Sequence, residues 1–239
     1  MTKSRAKLSL QGVAAFIVLL SPAIGATAAP VGEATRIVRF AYQTVTATSR
    51  SPVYRLDPIH EGALLETVPS GAMQVTFADT SVLTLGSNSR LRVDRFVYPQ
   101  AGSGEQSLAL ARGVFRFVSG TIPKNSVKLT TPAVSIGIRG TILKVQVNED
   151  GGGTVYFEHG QGFVENREGR HVPVEEGERL EFTANGGISA PSKSAFNAGD
   201  HAVDQGLQAF GVIFGGPSGG SGGQAGVGAT SPVGNAASP

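Results

Sequence analysis

The chain has 239 residues, no cysteine, no tryptophan and a formal charge of +2. Without cysteine, neither a disulfide framework nor a thiolate metal site is available. Three of its twenty basic residues and none of its eighteen acidic ones lie in the first 28 residues, leaving seventeen against eighteen, so the remainder carries a formal −1 and offers no basic patch for nucleic acid.

At the start, Lys3, Arg5 and Lys7 precede an apolar run from Leu8 to Leu20, which is followed by Ser21-Pro22 and the small-residue stretch Ala26-Thr27-Ala28. This is the grammar of a Sec-type signal peptide, assigned to residues 1–28 with cleavage after Ala28. The alternative is retention as an uncleaved anchor, but a spanning helix needs roughly 20 apolar residues and Pro22 interrupts the run. The expected location is therefore the periplasm or the medium, with no membrane span after cleavage.

From Val31 to Ala190 the apolar spacing is that of strands, and no helical period persists for three turns before Thr183. Residues 29–65 read as strands leading into a domain that occupies 66–190. Gln74-Val75-Thr76-Phe77 and Ser81-Val82-Leu83-Thr84-Leu85 alternate across Asp79-Thr80. Leu91, Val93 and Arg95 share one parity, against Arg90, Arg92 and Asp94 on the other. Short runs continue at Ser107–Leu110, Gly113–Val118, Val127–Leu129 and Thr141–Val147, each ending at a breaker. The breakers include Asn148-Glu149-Asp150-Gly151, Glu158-His159-Gly160 and Glu175-Glu176-Gly177. Short strands joined by short turns pair antiparallel, so the expected fold is all-β and hairpin-rich, closing as a sandwich or winding as a solenoid.

One stretch stands out. In Thr131-Pro132-Ala133-Val134-Ser135-Ile136-Gly137-Ile138-Arg139-Gly140-Thr141, Pro132 suits the start of a strand and pushes Thr131 toward an extended conformation. Val134, Ile136 and Ile138 then face one way and Ser135, Gly137 and Arg139 the other, while Gly137 and Gly140 permit a bend, a bulge or a close approach. Thr141 begins a new strand, with Leu143, Val145 and Val147 on its own parity.

Residues 191–214 form a C-terminal extension with Val203, Leu207, Phe210, Val212, Ile213 and Phe214, and residues 215–239 a Gly/Ser/Ala-rich tail that cannot bury enough apolar surface to offset its ordering entropy.

Taken together, these segments resemble the FecR-domain family. The resemblance runs from Glu66-Thr67 through Phe77–Gly86, Arg90–Tyr98 and Arg112–Gly120, culminates in Thr131-Pro132 and Ile136–Thr141, and fades through Gly160–Val164 and Glu176-Gly177-Glu178. It implies an all-β extracytoplasmic domain, best known from regulators in which a cytoplasmic anti-sigma segment and a transmembrane helix precede it. Only a handful of residues precede the apolar run in this sequence, which therefore resembles the shorter exported members in which the domain stands alone. Thr80 sits where the family commonly has Gly after Asp, and Ala133-Val134 follows the Thr-Pro; both departures read as mild.

The search for chemistry is mostly negative. His60, His159, His171 and His201 show no zinc-binding spacing. His159 beside Glu158 suits an acid-base pair, but reads more simply as an exposed hairpin-turn residue. Gly216-Pro217-Ser218-Gly219-Gly220 fits a nucleophile elbow yet lies in the low-complexity tail. Asn148–Gly153 offers oxygen ligands but is explained by an Asp-Gly hairpin turn. Glu175-Glu176 with Glu178 are neighbours that point to different faces. Of the aromatic residues Phe96, Tyr98, Tyr156, Phe157 and Phe163, Tyr98 before Pro99 is the candidate for an exposed rim beside arginines, suited to a glycan or a protein edge.

No catalytic residue, metal or cofactor is therefore assigned. Two residues are candidates for ligand binding: Arg139, whose guanidinium suits a carboxylate, sulfate or phosphate, and Tyr98. Thr131, Pro132, Gly137, Arg139, Gly140 and Thr141 are also assigned an architectural role, which is favoured for Arg139 through capping of carbonyls or pairing with an acid inside the fold. The expected function is a non-enzymatic binding, sensing or scaffolding module of the cell envelope that contacts a protein or an envelope polymer. The alternatives are a carbohydrate-active envelope enzyme and an accessory to cell-surface signalling. Gly140→Val is expected to unfold or misregister the domain, and Arg139→Ala mainly to cost stability.

Overall fold

The computed structural model describes residues 29–45, 49–98, 104–123 and 126–193. The segment expected to be a signal peptide, the Gly216–Gly220 motif, most of the C-terminal extension and the tail lie outside them. The described residues contain fourteen strands and no helix. Five lead in: β1 (Pro30–Val38), β2 (Ala41–Thr44), β3 (Arg50–Pro52), β4 (Pro58–His60) and β5 (Leu64–Thr67). Then come β6 (Ala72–Phe77), β7 (Val82–Leu85), β8 (Arg90–Val97), β9 (Glu105–Val118) and β10 (Val127–Thr130). The last are β11 (Val134–Val147), β12 (Gly153–Asn166), β13 (His171–Val174) and β14 (Arg179–Phe182).

β9, β11 and β12 organise the rest. Each is 14 residues long, and each contains a glycine in the left-handed region, Gly113 (φ 106°), Gly140 (φ 61°) and Gly160 (φ 80°). A side chain at such a φ is strained, so glycine lets one strand turn a corner without ending. The halves on either side pair with different neighbours. In a first layer the order is β4–β1–β6–β7, the C-terminal halves of β9 and β11, the N-terminal half of β12, then β14. In a second layer it is β3–β2–β5–β8, the N-terminal half of β9, β10, the N-terminal half of β11, the C-terminal half of β12, then β13.

One hydrophobic cluster fills the space between the layers. Phe77 of the first layer stacks on Phe96 of the second, with ring centroids 5.4 Å apart. The sheet therefore folds over on itself as a sandwich. β9 crosses between layers at the end where Gly151 faces Pro132, and β11 and β12 cross at the opposite end.

Crossing changes which parity faces the core. β9 buries Leu108 and Leu110 before its bend and Phe115 and Phe117 after it; β11 buries Val134, Ile136 and Ile138, then Leu143, Val145 and Val147. The runs on either side of Gly113 and of Gly140 are thus single strands, not separate ones, and Glu158-His159-Gly160 is a bend inside β12, not a hairpin turn. Two further expectations are corrected. β9 and β10 pair in parallel because the intervening chain returns β10 alongside the start of β9. A register shift between Val93 and Arg95 turns Arg95 outward to Glu105 (2.9 Å) and Phe96 into the core. The Asn148–Gly151 turn closes a hairpin as expected, with Asn148 N–H donating to Gly152 O at 2.8 Å and Asp150 Oδ1 accepting from Gly152 N–H at 2.9 Å.

The β6–β7 turn explains one family departure. Asp79 is fully buried; its Oδ1 accepts from the Ser81 amide (3.1 Å) and hydroxyl (2.6 Å), and its carbonyl accepts from Thr121 N–H (2.8 Å). Thr80, which follows, has φ 66°. A β-branched residue is poorly suited to that region, so the departure is less mild than it reads in the sequence. Thr80→Gly is expected to stabilise the protein by about 1 kcal/mol, the left-handed cost less the extra chain entropy of glycine. Urea unfolding checks this, and an unchanged or lowered midpoint would show that Thr80 is unstrained.

Candidate functional site

The Thr131–Thr141 stretch spans a turn, a half-strand and a corner. Thr131 closes the β10–β11 hairpin: its N–H donates to Val134 O at 2.8 Å, and its hydroxyl oxygen accepts from Val134 N–H at 3.0 Å. Pro132 occupies the tip of this turn, not the start of β11, and its carbonyl accepts from the Arg167 guanidinium at 2.8 Å.

Gly137 lies on the outer face of the second layer opposite Phe163. A Cβ at Gly137 would collide with the Phe163 ring, which therefore lies across bare backbone. The other partner of that ring is His171, stacked with centroids 4.3 Å apart. Glycine is needed at 137 for this close approach, not for its own φ.

At the corner, Gly140 and Gly160 meet; a Cβ at Gly160 would collide with the Gly140 carbonyl oxygen. The ladder between β11 and β12 is interrupted between Arg139 and Ile142, which leaves backbone groups to be satisfied in another way. Thr141 supplies this. Its buried hydroxyl accepts from Arg139 N–H at 3.1 Å and donates to Gln161 O at 3.0 Å, and its carbonyl accepts from Ser119 N–H (3.0 Å) and hydroxyl (2.7 Å). Thr141 is thus a staple across the corner, a role that strand spacing does not signal.

Arg139 points outward. Among the described residues its guanidinium makes no ion pair or hydrogen bond, so it neither caps carbonyls nor pairs with an acid. It borders a groove of about 720 Å³ together with Gly160, Gln161, Glu175, Glu176 and Lys193. A smaller hollow of about 280 Å³ adjoins it, reaching over Gly137 to Phe163, His171 and Pro173. The β13–β14 turn forms one wall, fixed by Gly177 N–H donating to Phe157 O at 2.8 Å. Its Glu176 carboxylate accepts from Gly160 N–H at 3.2 Å and contacts His159 Nδ1 at 2.9 Å.

The structure separates His159 from Glu158. Glu158 sits on the outer face of the first layer, contacting Arg116 Nη2 and Lys144 Nζ, each at 2.9 Å. The partner of His159 is instead Glu176, from a distant turn, which no local pattern reveals. Tyr98 lies away from the groove and is exposed, its hydroxyl 3.0 Å from Thr121 Oγ1 and its ring tilted against Phe96. Among the described residues no three His, Cys, Asp or Glu side chains cluster to hold a metal ion, and no helix is long and apolar enough to cross a membrane.

Against known proteins, residues 63–170 match the family described as FecR protein. Residues 63–170 are therefore a FecR domain. Two crystal structures of a candidate anti-sigma factor from Parabacteroides distasonis ATCC 8503 are similar, at 17% and 16% identity with TM-scores of 0.44 and 0.45. Each alignment covers 54% of this chain and 58% of that one, so the chain spans a little over half the length of those relatives. No curated protein matches.

The two residues at the corner should separate cleanly in stability. Thr141→Val keeps the shape, loses the hydroxyl bonds and is expected to cost about 1–3 kcal/mol. Arg139→Ala, with no side-chain partner, is expected to stay within about 0.5 kcal/mol of the parent. Denaturant unfolding of both variants checks the contrast, and a large loss in Arg139→Ala would restore an architectural role for that side chain.

Proposed function

We propose that this FecR-domain protein is an exported, non-enzymatic binding module of the bacterial cell envelope, whose ligand occupies the groove at the β11–β12 corner. The observation that carries the reading is the Arg139 side chain. It is held at the lip of a large groove by a stapled backbone corner, yet is unengaged among the described residues. A guanidinium in that position is available for an anionic group of a ligand.

The arrangement of ionisable groups favours binding over catalysis. Catalytic acids and bases work where they converge in a site that excludes water. Here the pair at the groove, His159 and Glu176, lies on an open rim with side chains 67% and 58% exposed. The fully buried carboxylate, Asp79, is tied to Ser81 in the β6–β7 turn. This arrangement weighs against the carbohydrate-active enzyme.

The sheet edges favour a ligand bound on the face over one added as a strand. β3, β4 and β13 each contain a proline, Pro52, Pro58 and Pro173, which lacks a ladder donor. β14 is covered by isolated bridges to Ile188 and Ser192. Within a family whose domain serves regulators of cell-surface signalling, a ligand held in the groove would be presented to a separate membrane partner.

Retention of the purified chain on immobilised envelope fractions tests the reading. The fractions are wall sacculi, outer-membrane vesicles and soluble periplasmic protein. The wild type is expected to be held by at least one, and Arg139→Glu to lose that retention while melting at the same temperature. Retention on none, or retention unchanged in the variant, would refute it.

A further inference from the structure

The groove carries more information than one free arginine. Three charged groups border it without an ion pair among the described residues: the Arg139 guanidinium, the Lys193 ammonium and the Glu175 carboxylate. Glu176, the fourth, is engaged by His159 and the Gly160 amide. Arg139 and Glu175 border both the groove and the adjoining hollow, yet their charged ends do not close on each other to within ion-pair distance.

That combination restricts the ligand. A purely anionic ligand would meet Arg139 and Lys193 but bring its charge against Glu175. A purely cationic one would satisfy Glu175 and face two cations. A neutral ligand would desolvate all three groups and pair none of them, which is unfavourable for each. A ligand with a carboxylate and an ammonium a few ångströms apart meets both signs. The adjoining hollow supplies the remaining contact, because Phe163 and Pro173 line it with apolar surface for a methyl or aliphatic group.

We propose that the groove binds a short zwitterionic peptide, with its carboxylate on Arg139 and Lys193, its amine on Glu175 and an aliphatic side chain in the hollow beside Phe163 and Pro173. This deepens the binding-module reading and rests on it. Two envelope sources share this chemistry, the stem peptides of the cell wall and free oligopeptides, and the probes below tell them apart.

Calorimetric titration of the purified chain with synthetic L-alanyl-γ-D-glutamyl-L-lysine is the test. Control probes are the same tripeptide with its amines acetylated, the same with its carboxylates amidated, and the all-L, α-linked isomer. The unmodified peptide is expected to saturate, and either capping to weaken it by about tenfold or more, the scale of one charge-assisted contact. Arg139→Ala should weaken the unmodified peptide similarly and leave the amidated one unaffected. Glu175→Gln should weaken the unmodified peptide and leave the acetylated one unaffected. Arg139→Lys, which keeps the charge, should recover part of the affinity. Preference for the γ-D-linked peptide assigns a wall source, and equal or better binding of the all-L isomer assigns free oligopeptides; either supports the site. No saturable binding, capped peptides that bind as well as the free one, or indifference to both Arg139→Ala and Glu175→Gln would overturn it. Retention on an envelope fraction that depends on Arg139 would still stand in that case, so the two readings fail separately.

Discussion

The contact between Gly140 and Gly160 is the constraint on which the rest of the structure depends. Two neighbouring strands leave one layer and join the other at the same place, both glycines hold a left-handed φ there, and a Cβ at Gly160 would strike the Gly140 carbonyl. A corner of this kind breaks the ladder, and unpaired backbone groups inside a fold are costly. The Thr141 hydroxyl removes part of that cost by bonding on both sides of the break. The Arg-Gly-Thr sequence is therefore a mechanical unit, with glycine making the corner and threonine satisfying it. The residue before the glycine is turned outward. Arg139, on the parity opposite buried Ile138, stands at the groove.

Much of this was legible in the sequence, though unevenly. The alternation of Val134, Ile136 and Ile138, followed by Leu143, Val145 and Val147 on the opposite parity, is visible in the residues, and the structure buries both sets. A parity change shows that something happens at Gly140. It does not distinguish a strand that ends from one that changes layers, because both keep apolar residues toward a core. The same ambiguity hides the continuity of β9 across Gly113. Parallel pairing of β9 with β10 is equally invisible, since strand patterns do not encode the direction of a neighbour.

The groove was the least legible part. Arg139 stands out because it lies between two glycines, but Glu175, Glu176 and Lys193 reach it through the β13–β14 turn and the segment after β14, more than thirty residues later in the sequence. His159 illustrates the problem sharply. Its neighbour Glu158 sits among Arg116 and Lys144 on the outer face of the first layer, a register shift in the β11–β12 ladder falls between Phe157 and His159, and the partner of His159 comes from a turn whose position is set by Gly177 donating to Phe157.

The two outer faces of the sandwich have different characters, and the difference bears on where a ligand binds. On the first layer, Glu158 contacts both Arg116 and Lys144, with all three side chains largely withdrawn from water at 17%, 19% and 6% exposure. Gln74 and Thr84 add a hydrogen bond to the same face, and Thr35 and Thr76 another. Groups that satisfy one another in this way have little affinity left for a ligand, because binding would first have to break contacts of equal quality. On the second layer, at the corner, charges of both signs stand near one another without closing. Solvated charges on a flat surface would mean little. Here they border a groove whose wall and floor are fixed by backbone bonds and glycine contacts, so a ligand meets groups already in place and loses less entropy in ordering them. The corner that allows the sheet to fold over thus also gives the second layer its preorganised polar site.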